Sequence, residues 1–265
     1  MAFPYKCVLV SGATSGIGQA LTEKLIQHGS FVIAVGRRQE RLENLSQQYG
    51  SDKIATECFD VSKIDALSAW VAGLTTKFPQ IDAILLNAGF QHHPCFLAPE
   101  SLSLETMTSE LHTNYLSPLH TSLLFLPHLQ RLSLKQPTAI IFVTSGLALV
   151  PSLRAPTYSA TKSALHTLAW TLRATLADDY PALKVVEIIP PAVKTELHTT
   201  QGQPQIGMPL EEFIHGAWSG LLDGQDEIPV GAIKEHGIHV EDERKAAFAN
   251  FCNLVKAPRP PEPSK

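Results

Sequence analysis

The sequence predicts an α/β fold, a single domain built on one doubly wound parallel sheet of about seven strands with helices on both faces. Three observations carry that expectation. Short apolar runs alternate strictly with longer segments of helical period. The runs are continuously apolar, as strands covered by helices on both faces are. A glycine-rich stretch, "SGATSGIGQAL", falls where the first run gives way to the first helical segment.

Taken in order, "CVLVSG" predicts the first strand, and residues 17–28 a helix that Gly29 stops. "FVIAVG" predicts the second strand, followed by the charged amphipathic "RRQERLENLSQQYG". "KIATECFD" is the third, with a helix from about 62 to 78. "IDAILLNAG" is the fourth, before a long helical stretch from about 101 to 134. "TAIIFVTSG" is the fifth, with a helix from about 156 to 179. "LKVVEIIP" is the sixth, and "DEIPVG" a short seventh after a helix near 209–223. The domain spans residues 1–255, and the Pro-rich end, 256–265, is expected to be disordered.

Composition narrows the function. A formal net charge of −4 with no basic stripe argues against nucleic acid as a partner. The four cysteines lie far apart with no C-x-x-C pair, which suits a reducing compartment. Cys7 and Cys58 sit in strand-like runs and are expected to be buried. The first apolar run is too short for a signal peptide, and none approaches the ~18 apolar residues of a membrane span. The expected location is soluble and cytoplasmic.

Gly12, Gly16 and Gly18 lie between the first strand and the first helix, together with Ser15 and Ile17. Glycines there allow a tight turn and close approach of backbone to a pyrophosphate, at which the helix N-terminus points its free N–H groups. The spacing is G-x-x-x-G-x-G. No Gly-Lys-Ser/Thr follows, which excludes a P-loop. The second strand ends in Gly36, Arg37 and Arg38, without an acid. An acid would read the ribose 2′-hydroxyl of NAD, whereas a guanidinium fork suits the 2′-phosphate of NADP. The expected cofactor is NADP(H) in preference to NAD(H).

Tyr-x-x-x-Lys occurs three times, at Tyr49/Lys53, Tyr158/Lys162 and Tyr180/Lys184. The first and third straddle a helix end and a strand start, so their side chains share no helix face. Tyr158 and Lys162 fall in the first turns of one helix, where i and i+4 are neighbours. A lysine ammonium there is expected to lower the phenol pKa from ~10 toward working pH, as a general acid/base requires. Ser145 ends the fifth strand, on the side where an open parallel sheet forms its ligand crevice, so it is placed to converge with Tyr158.

Gly12-x-x-x-Gly16-Ile17-Gly18, Asn87-Ala88-Gly89, Ser145, Tyr158-x-x-x-Lys162 and "IIPPAVKT" occur in the order and spacing of the short-chain dehydrogenase/reductase family, which the chain resembles over about residues 5–232. The resemblance implies a Rossmann-type fold and NAD(P)-linked oxidation or reduction of alcohols and carbonyls. It implies that Tyr158 exchanges a proton with the substrate oxygen, that Ser145 hydrogen-bonds that oxygen, and that Lys162 binds the nicotinamide ribose while tuning Tyr158. Asn114 resembles the family's asparagine that supports a proton-relay water. Asp60-Val61 resembles the pair beside the adenine, and Asn87, Ala88 and Gly89 resemble the crevice lining. It also implies a homodimer or homotetramer. Pro190-Pro191 replaces the family's common Pro-Gly, although Val193 and Thr195 remain to meet carboxamide and phosphates, and Ser11 stands for the usual threonine. The segment "PLEEFIHGAWSGLLDGQDEIPVG" resembles the DltE-like branch.

Three segments are expected at the crevice mouth, 90–96, 146–153 and 195–208, the last as a mobile lid. The apolar "GLALVPSL" favours a hydrophobic ketone or aldehyde. His92-His93 reads as a polar group of the substrate pocket, and no metal site is expected. His112, His120, His128, His166 and His215 read as structural. The leading expectation is an NADPH-dependent carbonyl reductase acting on a small molecule. The same site run in reverse gives an NAD(P)+-dependent secondary-alcohol dehydrogenase. A non-catalytic dinucleotide-sensing protein is the rival class, and it would have no need of Ser145, Tyr158 and Lys162 together.

Overall fold

A computed structural model describes residues 3–199, 202 and 204–254; the Pro-rich tail lies outside the described residues. Seven strands form one sheet: β1 (Cys7–Ser11), β2 (Phe31–Gly36), β3 (Ile54–Cys58), β4 (Ala83–Leu86), β5 (Thr138–Val143), β6 (Leu183–Ile189) and β7 (Glu227–Pro229). Their order is β3-β2-β1-β4-β5-β6-β7, and every pairing is parallel. The direction of winding reverses between β1 and β4, so the helices part there at the carboxyl ends and leave a crevice.

Each strand feeds both layers because side chains alternate across a sheet. Val8 and Val10 join one core with helices α1 (Gly16–Gln27), α2 (Gln39–Tyr49) and, later in the chain, Phe213 and Trp218. Cys7 and Leu9 join the other, with Val71, Phe125, Leu129, Leu165 and Leu172. Those residues come from α3 (Leu67–Lys77), α5 (Ser117–Ser133) and α6 (Pro156–Leu176). Asp82 caps the start of the sheet: its carboxylate accepts the backbone N–H groups of Lys6 and Cys7, each at 2.9 Å.

Three expectations need correction. The long helix at 101–134 is two helices, α4 (Leu104–Leu111) and α5, joined by a π-helical turn over His112–Leu116. Pro118 supplies no N–H to the Asn114 carbonyl four residues earlier, and its ring crowds that carbonyl, so the turn widens there. The helix expected to reach 179 ends at Leu176. Cys58 is exposed, because it is the last residue of the edge strand β3, while Cys7 in β1 is buried. Two further helices, α7 (Glu196–Thr199) and α8 (Leu210–Leu222), flank β6 and β7, and α9 (Asp242–Leu254) follows them. No helix among the described residues is long and apolar enough to cross a membrane.

Candidate active site

The crevice holds a cavity of about 1050 Å³ at the carboxyl ends of the strands. Of the residues singled out from the sequence, Gly12, Ser15, Gly16, Ile17, Arg37, Arg38, Asp60, Val61, Asn87, Ala88, Gly89, Ser145, Tyr158, Lys162, Pro190, Val193 and Thr195 line it. Gly18 and Asn114 stand behind that lining.

The β1–α1 turn owes its shape to its glycines. Gly12 and Gly16 have φ of +70° and +53°, a region that side chains disfavour. Gly18 serves close packing. A Cβ on it would sit 2.2 Å from the Gly12 carbonyl oxygen and 2.4 Å from Asn87 Nδ2. That amide donates to the carbonyls of Ser11 and Gly12, while the Ser11 hydroxyl accepts the N–H groups of Asn87 and Ala88 at 3.1 and 3.2 Å. Ser11, in place of the family's threonine, thus ties the ends of β1 and β4 together. Gly18→Ala is expected to destabilise by about 1–3 kcal/mol through overpacking and to abolish tight nucleotide binding, read by urea denaturation and a fluorescence titration.

The two arginines differ in their bonding. Arg38 donates to Thr14 Oγ1 at 3.2 Å, Ser15 Oγ at 2.6 Å and Glu196 Oε2 at 3.0 Å. Arg41 donates to both oxygens of Glu196 as well, and this pair of guanidiniums, Arg41 first, holds the Glu196 carboxyl below its ordinary range. Arg37 has a mostly exposed side chain, 3.8 Å from Asp60.

Tyr158 and Lys162 are both buried on the first turns of α6. Lys162 Nζ donates to the Val143 carbonyl at 2.8 Å and lies 5.6 Å from the centre of the Tyr158 ring. Burial lowers the Lys162 pKa to about 8, against the attraction of Glu187 and Glu110. The sequence predicts a Tyr158 pKa below ~10. Instead burial pushes the phenol well above its ordinary value, with Glu110 adding to the rise and only the Ser145 hydroxyl opposing it. The loss of water around the ring sets the direction. Ser145 Oγ accepts the Leu147 N–H at 3.1 Å. Its hydroxyl also meets the Tyr158 phenol, so the two polar groups point to one place.

Asn114 sits in the π-helical turn, fully buried. Its side chain accepts the Phe90 N–H at 3.0 Å and donates to the Phe90 carbonyl at 2.8 Å and to Thr161 Oγ1 at 3.3 Å. It braces the loop after β4 against α6. Glu110, one turn before, accepts the His92 N–H at 2.9 Å and the Thr157 hydroxyl, and burial raises its pKa.

The remaining wall comes largely from the three segments expected at the crevice mouth, 90–96, 146–153 and 195–208, with Ser109, Thr113, Arg154 and Ile233 as lining that the sequence did not place there. Gln91, His93, Ser109, Thr113, Ser152, Arg154 and His198 give it polar surface, and Leu147, Val150, Ile206 and Ile233 give it apolar surface. Of the expected lid, residues 200, 201 and 203 lie outside the described residues. Its ends are joined where Met208 exchanges backbone hydrogen bonds with Ala192 and Lys194 at 2.9 and 3.0 Å.

A buried ionic cluster lies behind the site, with His166, read as structural from the sequence, at its centre. His166 Nδ1 is 2.8 and 2.9 Å from the Glu187 oxygens, and Nε2 is 3.3 Å from Glu241 Oε2. With a carboxylate at each nitrogen, the ring carries both protons. Burial opposes that charge, but the two glutamates together raise its pKa. Thr144, beside Ser145, donates to Glu187 at 2.6 Å, and Arg244 donates to Glu241 at 3.1 Å. The visible sequence signal was Glu187 itself, a charge within an apolar run, since such residues are rarely buried unless paired. His128 is also buried, on the Ile81 carbonyl at 2.9 Å. Among the described residues, no group of three or more His, Cys, Asp or Glu is placed to hold a metal ion.

Residues 6–205 match the family model of the short chain dehydrogenases. The chain is 37% identical to the uncharacterized oxidoreductase DltE of Bacillus subtilis over 258 residues, covering 94% of both chains. Among solved structures, it is similar to a short-chain dehydrogenase from Sphingobium yanoikuyae in complex with NADPH, with a TM-score of 0.78 at 20% identity, covering 98% of this chain and 99% of that one. A short chain dehydrogenase/reductase from Burkholderia phymatum in complex with NAD gives the same TM-score, 0.78, at 16% identity over the whole of both chains. With its crevice, its seven-stranded parallel sheet and this likeness, the chain belongs to the short-chain dehydrogenase family of oxidoreductases.

Proposed function

We propose that this protein is an NADPH-dependent reductase that converts a carbonyl to an alcohol, with Tyr158 as the proton donor. The observation that supports it most is the convergence of Ser145, Tyr158 and Lys162 on one wall of a cavity whose other end is the glycine turn with Arg37. The residues fit a dinucleotide. Gly12 and Gly16 open a cradle that a Cβ would fill against Asn87, Ala88 and Thr195, and the cavity exceeds what a single small ligand needs. Asp60 and Val61 would border the adenine, and Pro190, Val193 and Thr195 the nicotinamide end. The cofactor, when bound, supplies hydride to the carbonyl carbon.

The chain supplies the rest. Ser145 donates its hydroxyl proton to the carbonyl oxygen as a hydrogen bond. Tyr158, held as a neutral phenol by burial, carries the proton that this oxygen must acquire. That protonation state favours reduction as the working direction. Lys162, fixed on the Val143 carbonyl, faces the phenolate left behind, and Asn114 steadies the loop that covers Lys162. The apolar flank of Leu147, Val150, Ile206 and Ile233 suits a substrate with a hydrophobic part.

Cofactor choice rests on Arg37. Arg38 is taken up by Thr14, Ser15 and Glu196, whereas Arg37 is open to the 2′-phosphate. Titration of Arg37→Ala should show about tenfold weaker NADPH binding, about 1.4 kcal/mol, with NADH binding unmoved. Equal binding of the two nucleotides by the wild-type protein overturns the NADPH assignment, and binding of neither overturns the reductase reading.

A further inference from the structure

We propose that His93 and His198 form a subsite that recognises a carboxylate, so that the preferred substrate is an oxo acid. This inference rests on the reductase reading, since it concerns the far end of the same cavity.

The two histidines come from different segments, the loop after β4 and the short helix α7, and both line the cavity. His93 Nδ1 lies 2.8 Å from the Arg154 carbonyl. A carbonyl oxygen only accepts, so Nδ1 carries the hydrogen and Nε2 of the neutral ring is bare. That Nε2 is buried and has no hydrogen-bond partner among the described residues. His198 is 7% exposed, and its Nδ1 is likewise buried without a partner among the described residues. An unpaired buried polar atom is costly, and a ligand with two acceptor oxygens would complete both of these.

The surroundings select the sign of that ligand. Arg154 lines the same wall. Glu196, the acid nearest in the chain to His198, is already bound by Arg38 and Arg41. Glu110, which lies behind the loop of His92 and His93, is occupied by the His92 N–H and the Thr157 hydroxyl. Burial first, and His93 second, hold the His198 pKa down, so His198 resists charging by itself. A carboxylate with two oxygens relieves that resistance: each imidazole gains a proton and donates it to an oxygen. Binding therefore takes up protons, and an acid should bind less well as pH rises. The apolar flank then receives the chain that joins the carboxylate to the carbonyl. The sequence expectation of a hydrophobic ketone thus describes one wall of the cavity, and this pair the other.

The test compares 2-oxo and 4-oxo acids with their methyl esters of matched chain length, following NADPH oxidation between pH 6 and pH 9. The acid should exceed its ester in kcat/KM by tenfold or more at pH 6, through KM, and the ratio should fall with pH. In His198→Gln and in His93→Gln the ratio should collapse toward one, with nucleotide titration reporting that each variant is folded. An acid-to-ester ratio near one in the wild-type protein, with esters reduced, overturns the subsite and leaves the reductase intact. Because oxo-acid turnover needs the whole reaction, NMR of the histidine Cε1–H signals under titration with butyrate and with methyl butyrate provides a separate reading. Shifts of two histidine signals with butyrate alone, lost in the two variants, support the subsite even if no ketone is reduced. Their absence overturns it.

Discussion

Tyr158→Phe is expected to lower kcat/KM for carbonyl reduction by about 10²–10⁴-fold, the range that a positioned general acid contributes. The substitution removes one oxygen from a residue of α6 whose ring is already buried, so packing and nucleotide affinity should stay close to the wild type. Loss of rate with nucleotide binding retained is the result expected of a proton donor. A variant that keeps more than a tenth of wild-type kcat/KM removes Tyr158 from that role. Burial sets the direction here. In the proposed reaction it would keep the phenol protonated until the substrate oxygen develops charge, and it leaves Lys162, at a pKa of about 8, largely cationic at neutral pH.

His166→Leu is expected to destabilise the fold by about 3–5 kcal/mol, the cost of stranding buried charges by removing their partner. Glu187 and Glu241 would then face each other across a leucine, both within the protein interior. A second readout separates charge from packing. The folded-state pKa of His166 lies above its unfolded value of ~6.5. Its stabilisation is therefore complete below ~6.5 and is lost as pH rises through the folded-state pKa. The urea midpoint of the wild-type protein should fall as pH rises above ~6.5, and this slope should be absent from His166→Leu. Above about 8 Lys162 acts in the opposite sense, since its depressed folded pKa makes the unfolded chain the better proton binder there. A variant with the wild-type midpoint and slope would show that the two glutamates do not need the imidazolium.

How much of this was legible depended on where the physical signal resides. Covered strands must be apolar on both faces, so Val8–Val10 and Ile140–Val143 announce themselves as continuous runs. The glycine turn, Ser145 and the Tyr158–Lys162 pair were legible because each depends on local geometry, one turn or one helix face. Asn114 was not readable from its own neighbourhood. Its amide braces a loop 24 residues earlier, and resemblance alone pointed to it. Glu196 was missed for a related reason: it meets Arg38 from 158 residues away, across two loops. Arg154 shares that obscurity. Cys58 was misjudged because a strand's place at the edge of the sheet is a property of topology, which no run of residues carries. The Tyr158 pKa was misjudged because spacing reveals a neighbour's charge but not how much water the fold removes.

The adjacency of β1 and β4 has a consequence for how the protein comes into being. The ladder pairs Ser11 with Leu86, and the cavity draws lining from Gly12 through to Ile233. A ribosome adding about 5–20 residues per second needs on the order of tens of seconds between those two points. Until Leu86 is made, the edge of β1 that β4 will cover stands open, and until Ile233 is made the glycine turn faces an unfinished pocket. Nucleotide can therefore stabilise only the finished molecule, and any transcript cut short before Ile233 yields a sheet lacking part of the wall of its own pocket.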